Sequence, residues 1–281
     1  MHREIHFIGI GGIGMSGIAQ LFLERGMKVS GCDIKDSERL RFLQHKGARI
    51  YFGHDPSHLH NSEVVVYSSA IKEDNPELKE SRKKNLKVLK RAQALVEIIQ
   101  DASLITITGS HGKTTTSSLV AHILTEAGIR PTVVVGGIWL NLNNSACLGR
   151  DKLFVIEADE SDGSFLYFKP KYSLITNIDF EHMDYYNDME RLLDTFCSFM
   201  NNLEPGGKLI ACGENKNIVQ LLNKINKPKI VYGFSPASDI YAKNIELNGL
   251  TSTFDCFLRG DFLGRFSVSL GGRHNVLNSL A

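Results

Sequence analysis

Ser103-Leu104-Ile105-Thr106-Ile107-Thr108-Gly109-Ser110-His111-Gly112-Lys113-Thr114-Thr115-Thr116 joins an apolar, β-branched run to a glycine loop, and the amphipathic run Ser117 to Leu124 leads out of it. The order strand, glycine loop, helix is the context a phosphate-binding loop requires. The glycines let backbone N–H groups turn toward an anion, and the helix N-terminus adds partial positive charge. Lys113 can then reach β- and γ-phosphates, and the Thr114 hydroxyl can ligate Mg²⁺. The spacing departs from the standard pattern at one place: Ile107 stands where a glycine is expected, so the loop is shortened to Gly-x-x-Gly-Lys-Thr. Thr115 and Thr116 read as first-turn packing and capping positions. The helix is expected over 115–127, ended by Gly128.

Outward from this loop, the chain of 281 residues is expected to hold two domains, at 1–100 and 101–281, in an α/β fold. Hydrophobic residues make up 42%, enough for real cores and too many for a disordered chain. With 32 basic and 31 acidic residues the net charge is +1, which offers no general field for nucleic acid or an anionic membrane. The basic run Lys79 to Arg91 reads as a solvated helix face and linker. Five cysteines stand singly without a C-x-x-C pair, which suits a reducing cytoplasm, and no signal peptide or membrane-length apolar run occurs.

In the first hundred residues, the apolar strand His6 to Ile10 runs into Gly9-Ile10-Gly11-Gly12-Ile13-Gly14, a G-x-G-x-x-G fingerprint, and a helix over Met15 to Arg25 follows. The strand Lys28 to Asp33 ends in an acid 19 residues past Gly14, close to the ribose-binding position of a Rossmann fold. Val64 to Ile71 reads as a buried parallel strand delivering Ser68 and Ser69 to the ligand-binding edge of the sheet. Lys72 to Lys87 covers a helix, Val88 to Arg91 a short strand, and Ala92 to Gln100 a helix.

Beyond the phosphate loop, Thr132 to Gly137 is a strand and 138–150 a loop, whose Asn143-Asn144-Ser145 triplet is an idle glycosylation match. Leu153 to Ile156 runs into Glu157-Ala158-Asp159-Glu160-Ser161-Asp162, and Tyr172 to Ile178 runs into Asp179-Phe180-Glu181-His182-Met183-Asp184. Two buried strands that discharge acids and a histidine at their ends suggest a cation site beside the phosphates. An amphipathic helix over 189–203, the strand Lys208 to Cys212, a helix over 215–225 and a strand over 229–234 continue the alternation. Ile240 to Glu246, Thr251 to Leu258 and Gly264 to Leu270 then alternate in two-residue periods, with turns at Asn248-Gly249 and Gly260-Asp261, as antiparallel edge hairpins do. His274, Asn275 and Asn278 fall near one face of a final helix that stops while still apolar, so the chain is expected to be a fragment.

Together these motifs resemble the Mur ligases of bacterial peptidoglycan synthesis. The resemblance rests on Gly9 to Gly17, on Gly109 to Thr116 with its shortened loop, on Glu157 to Asp162 and Thr176 to Asp184, and on Arg273 to Asn278. Asp179 and Ser110 replace the Glu and Thr of many relatives. The resemblance implies ATP-driven amide formation in the cytoplasm, with UDP-N-acetylmuramate and L-alanine as substrates and a third domain beyond Ala281. It assigns Gly109, Ser110, His111, Gly112, Lys113, Thr114 and Thr115, with His274, Asn275 and Asn278, to ATP. Thr114, Glu157 and His182 fall to Mg²⁺, or Mn²⁺ at the histidine, and Lys113, Glu157 and His182 to catalysis. Gly11, Gly12, Ile13, Gly14, Met15, Ser16, Asp33, Ser68 and Ser69 fall to the UDP-sugar. Neither nucleic acid nor membrane is an expected partner, and monomer and homodimer are both open. The rival readings are a murein-peptide recycling ligase, folylpolyglutamate synthetase, an NAD-dependent oxidoreductase read from residues 1–35 alone, and a nucleotide-binding module without chemistry.

Overall fold

The structure, a computed structural model, describes residues 4–139 and 144–281. Its contacts divide the chain into two units, Met1–Ala102 with Pro131–Lys152, and Ser103–Arg130 with Leu153–Ala281. The division expected at residue 101 therefore carries an exception, because a segment following the phosphate-loop helix belongs with the first unit.

The first unit runs β1 (Glu4–Ile8), α1 (Ile13–Glu24), β2 (Lys28–Asp33), α2 (Glu38–His45), β3 (Arg49–Phe52), β4 (Val64–Tyr67), α3 (Pro76–Lys83), β5 (Lys87–Lys90) and α4 (Arg91–Ile99). The five strands pair in the order β3-β2-β1-β4-β5, every pair parallel. This is the doubly wound order, whose ligand crevice opens between β1 and β4 at the strands' C-terminal ends. Strands covered on both faces read as continuous apolar runs, and β1 and β4 do so through buried Phe7, Ile8, Val65 and Val66. Ser37 caps α2 by accepting from Leu40 N at 3.3 Å, and Asn75 caps α3 by accepting from Glu77 N and Leu78 N at 3.0 and 3.1 Å. β1 ends at Ile8 rather than Ile10, and β4 at Tyr67 rather than Ile71. In both cases the residues that follow form the turn that leaves the sheet.

The turn after β1 is fixed from below. Gly9 N and Ile10 N both donate to Cys32 O, at 2.9 and 3.0 Å. Ile10 is fully buried against Gly31 of β2. A Cβ at Gly31 would lie 2.6 Å from Ile10 Cδ1 and 2.8 Å from Phe7 O. Gly31→Val is therefore expected to lower the stability of this unit by about 3 kcal/mol, by overpacking against backbone that has nowhere to move. An unchanged urea midpoint would contradict this account of how the loop is held.

β6 (Ser103–Thr108) and α5 (Lys113–Glu126) open the second unit. β7 (Thr132–Trp139) and β8 (Asn144–Cys147) then form an antiparallel hairpin that packs on α1 in the first unit. The stretch 138–150, expected as loop, thus holds β8. Residue Asn143 of the glycosylation match lies outside the described residues. β8 escapes a hydrophobicity reading because its buried members are small, Ser145 and Ala146. They must be small: a Cβ on Gly17 of α1 would already lie 2.7 Å from Ser145 Oγ and 3.0 Å from Ala146 Cβ.

The second unit continues with β9 (Leu153–Glu157), β10 (Tyr172–Ile175), α6 (Met183–Tyr186), α7 (Met189–Asn201), β11 (Lys208–Cys212), α8 (Lys216–Leu222), β12 (Lys229–Gly233), β13 (Ile240–Asn248), β14 (Thr251–Leu258), β15 (Asp261–Val268) and α9 (Arg273–Leu280). Its strand order is β15-β14-β13-β12-β11-β10-β6-β9. The strands are parallel from β9 to β13, and antiparallel in the two expected hairpins. The second hairpin turns on Arg259 and Gly260, both at positive φ, so Asp261 already begins β15. Ile107, Val155 and Leu174 form a buried cluster where β9, β6 and β10 lie side by side. Below it Phe165 stacks on Phe199 at 4.5 Å and meets Phe196 edge-on at 5.2 Å, which seats the apolar face of α7. The phosphate-loop strand is thereby central, flanked by the two strands that deliver acids.

Candidate functional site

In the second unit, Gly109 has φ +132° and Gly112 φ +81°, conformations that an L side chain strains to adopt. Space is also lacking. A Cβ at Gly109 would collide with Thr176 and lie 2.7 Å from Asn177 O, and one at Gly112 would lie 2.6 Å from Asn278 Oδ1. The loop is laced to the end of β10. Ser110 N donates to Asn177 O at 3.0 Å, His111 N to Asn177 Oδ1 at 2.7 Å, and Thr176 Oγ1 to His111 O at 2.6 Å. Asp179 N donates to Ser110 Oγ at 2.8 Å, and His111 Nε2 faces Asp179 at 3.6 Å and Glu181 at 3.5 Å.

Lys113 Nζ donates to Gly109 O at 2.5 Å, to Ser110 O at 3.1 Å and to Glu160 Oε1 at 2.8 Å. Glu160 is the residue whose role sequence reasoning passed over. Its side chain is 1% exposed. It also receives Thr108 Oγ1 at 3.4 Å and faces His182 Nε2 at 3.4 Å, while Tyr186 OH donates to its backbone carbonyl. Burial pushes the Glu160 carboxyl above the usual range, against the pull of the Lys113 ammonium. The other acids of the run separate by what they bind. Asp159 Oδ1 accepts from Ser161 N and Asp162 Oδ1 from Ser164 N, both at 3.0 Å, as turn-forming aspartates do. Glu157, at the end of β9, accepts from Thr114 Oγ1 at 2.9 Å.

The structure thus gathers Lys113, Thr114, Glu157 and His182 around one loop, but His182 meets Glu160 rather than Glu157. His182 sits in the left-handed region, φ 59°, at the start of α6. The oxygen pair of Thr114 and Glu157 is a hard donor set that fits Mg²⁺, and the mixed nitrogen and oxygen pair of His182 and Glu160 fits Mn²⁺ better. Asn278 approaches Gly112, and its Nδ2 donates to Asn275 Oδ1 at 3.1 Å, so α9 flanks the loop. His274 is exposed in the first turn of that helix. Thr115 is half-buried in the first turn of α5, and Thr116 is buried.

In the first unit, Gly12 is the N-cap of α1 and no side chain caps it, which leaves the amides of the first turn, from Ile13, Gly14 and Met15, as anion donors. Ser16 Oγ donates to Ile13 O at 3.0 Å. Asp33 accepts from Gly11 N at 2.9 Å, Ile34 N at 2.8 Å and Lys35 N at 3.3 Å, so it shapes the glycine loop directly. Arg39 Nε donates to Gly11 O at 2.9 Å from the other side. Ser68 and Ser69 follow β4 at the crevice; Ser68 N donates to Ile8 O at 3.2 Å, and Ser69 is exposed. The basic run is solvated as expected at Lys79, Arg82, Lys83, Lys84, Lys87 and Lys90, all exposed, and Arg91 is its exception. Its Cδ would lie 3.3 Å from a Cβ at Gly14, so it borders the N-terminus of α1. No spacing rule connects residues 14 and 91; only the fold does.

A parallel sheet with a glycine fingerprint, joined in one chain to a phosphate-loop unit with strand-end acids, defines a two-unit α/β protein of the phosphate-loop class. The Mur ligase catalytic-domain model matches residues 4–103, and the Mur ligase middle-domain model matches residues 107–281. The chain belongs to the Mur ligase family. It is 46% identical over 279 residues to the UDP-N-acetylmuramate–L-alanine ligase of Aquifex aeolicus, covering 99% of this chain and 62% of that protein. Against the same-named ligase of Myxococcus xanthus it is 44% identical over 278 residues, covering 99% and 59%. The chain therefore spans about 60% of the length of the curated relatives it matches. Among solved structures, a UDP-N-acetylmuramate:L-alanyl-γ-D-glutamyl-meso-diaminopimelate ligase from Neisseria meningitides superposes with TM-score 0.90 at 29% identity, covering 100% of this chain and 91% of that one. The UDP-N-acetylmuramate–alanine ligase of Thermotoga maritima gives TM-score 0.86 at 28% identity, covering 99% and 63%. No helix among the described residues is long and apolar enough to cross a membrane.

Proposed function

We propose that the full-length protein is a cytoplasmic, ATP-dependent ligase that joins L-alanine to the carboxylate of UDP-N-acetylmuramate through an acyl phosphate. The observation that carries this reading is identity of 43–46% over at least 99% of the chain to ligases of that name. The site chemistry agrees with it. A carboxylate is a poor acyl donor, because oxide is a poor leaving group. Transfer of the γ-phosphoryl group of ATP to it makes a mixed anhydride. The amine of L-alanine then attacks the acyl carbon, and the collapse of the tetrahedral intermediate releases phosphate alongside ADP.

Both transition states gather negative charge on oxygens, so fixed cations and N–H donors carry the rate. Lys113 takes the β- and γ-phosphates, and the Gly109 to Thr115 backbone cradles them. Thr114 and Glu157 would hold Mg²⁺, with His182 at a second, Mn²⁺-tolerant position; a cation there would neutralise phosphate charge. Glu160 is a positioning residue, which aims the Lys113 ammonium through their 2.8 Å contact. His274, Asn275 and Asn278 face the adenosine. Gly11 to Ser16 hold the pyrophosphate of the UDP-sugar at the open end of α1, with Ser68 and Ser69 toward the uridine. Asp33 holds the loop: three of its roughly four acceptor positions already take amide protons, which leaves one toward the ribose.

The test is phosphate release by the full-length protein. It is expected to require ATP, UDP-N-acetylmuramate and L-alanine together. The high TM-score to the Neisseria ligase favours one second reading, in which L-alanyl-γ-D-glutamyl-meso-diaminopimelate replaces L-alanine. A larger kcat/KM for that tripeptide than for L-alanine would overturn the first reading in favour of the second.

A further inference from the structure

A second cluster lies in the first unit, apart from the glycine loop's ligand face. Glu77, in the first turn of α3, is fully buried, and four side chains converge on its carboxylate. Cys32 Sγ of β2 donates to Oε2 at 2.8 Å, and His54 Nδ1 lies 2.8 Å from the same oxygen and 3.2 Å from Cys32 Sγ. His58 Nδ1 lies 2.9 Å from Oε1, and His6 Nε2 of β1 lies 3.3 Å from Oε1. The ligand atoms of His6, Cys32 and Glu77 all fall within 4.8 Å of one another, and all three residues are buried.

The orientation of His6 points to a cation. Its Nδ1 pairs with Ser30 Oγ at 2.9 Å, and its Nε2 is buried without a hydrogen-bond partner. When His6 Nδ1 donates to Ser30 Oγ, Nε2 presents a lone pair toward a carboxylate oxygen; when the hydroxyl donates instead, the proton on Nε2 faces Glu77 and takes the place a metal would fill. Two acceptors facing each other in a dry interior are unfavourable unless a positive charge stands between them. A ring whose remote nitrogen is fixed by a hydroxyl is also how metal-binding histidines are held.

We propose that His6 Nε2, Cys32 Sγ, His54 Nδ1 and Glu77 Oε2 form a tetrahedral zinc site that ties β1, β2 and α3 together. The donor set, one thiolate, two imidazoles and one carboxylate, is of the borderline-soft kind that selects Zn²⁺ over Mg²⁺. Ligand atoms around zinc sit about 3.3–3.6 Å apart, from Zn–S near 2.3 Å and Zn–N near 2.0 Å. Among Cys32 Sγ, His54 Nδ1 and Glu77 Oε2 the observed separations of 2.8–3.2 Å open by roughly half an ångström as the metal enters, while His6, whose ligand atom lies within 4.8 Å of those of Cys32 and Glu77, closes in from the other side. Binding releases the Cys32 thiol proton to solvent and forms the S–Zn bond in its place. His58 then serves outside the first shell, where it holds the second oxygen of Glu77 and stacks on Tyr51 at 4.4 Å. The His54 and His58 side chains, 21% and 14% exposed, supply the way in.

The test uses the untagged protein, stripped with a chelator and dialysed against Zn²⁺ in the presence of excess Mg²⁺. One zinc per chain is expected, with a rise in melting temperature. Co²⁺ in its place is expected to give the intense visible bands of a tetrahedral site and a near-ultraviolet thiolate charge-transfer band. Cys32→Ser is expected to abolish that band and to weaken zinc at least tenfold, while His182→Ala leaves both unchanged. Substoichiometric zinc means that a proton on His6 is the cation, and overturns the proposal. So does a Co²⁺ spectrum without the thiolate band, undiminished zinc in Cys32→Ser, or zinc lost in His182→Ala. The Co²⁺ spectrum of the unsubstituted protein decides the matter even if Cys32→Ser fails to fold.

Discussion

Lys113→Ala in the full-length protein is expected to lower ATP-dependent amide synthesis about a thousandfold, roughly 4 kcal/mol of transition-state stabilisation, while UDP-N-acetylmuramate binds as before. The asymmetry follows from where the residue stands. Lys113 is held by Gly109 O, Ser110 O and Glu160, all within the second unit. The glycine loop, Asp33, Ser68 and Ser69 belong to the first. Arginine is not expected to restore the rate. Three acceptors placed around one nitrogen suit a compact ammonium, and a planar guanidinium fork cannot satisfy them from the same stem. Single-turnover phosphate release and a separate titration with the UDP-sugar check the two halves. Turnover unchanged in Lys113→Ala would remove the lysine from the site.

The second large effect is on stability. Glu160→Ala is expected to destabilise the second unit by about 3 kcal/mol, because removing one partner of a buried pair leaves the other charge uncompensated. For a unit of this size that corresponds to a fall in melting temperature of roughly 6–12 °C. Lys113 loses its only carboxylate among the described contacts, and Thr108 and His182 lose theirs as well. Lys113→Ala should be the milder of the two in this respect. The Glu160 carboxyl, already pushed upward by burial, takes up a proton readily once the ammonium is gone. Glu160→Gln keeps the shape and removes the charge, so it is expected to fall between them. Equal melting temperatures for Glu160→Ala and the unsubstituted protein would show that the pair does not organise the loop.

These two residues also mark how far the sequence reaches. Lys113 is legible because its meaning is local: strand, glycine loop and helix follow one another without a break over residues 103–126, and the backbone conformation itself makes the anion site. The two-unit α/β class, most strand positions and the edge hairpins are legible for the same reason, since periods of two and 3.6 residues are written along the chain. Glu160 stands in a run of acids where nothing local tells it apart from Asp159 and Asp162. Which acid makes a turn and which enters the loop depends on the lysine 47 positions away.

Burial of small residues hid β8, because a strand packed tightly on Gly17 carries no apolar signature. The placement of Arg91 beside Gly14, and the convergence of His6, Cys32, His54 and Glu77, are set by parallel strand order. That order places residues far apart in sequence side by side at the ends of neighbouring elements. The sequence by itself determined most of the elements, the two glycine loops and the family. The tertiary structure alone decided which charges meet, because side-chain encounters across a sheet follow topology and register, and neither leaves a local trace in the chain.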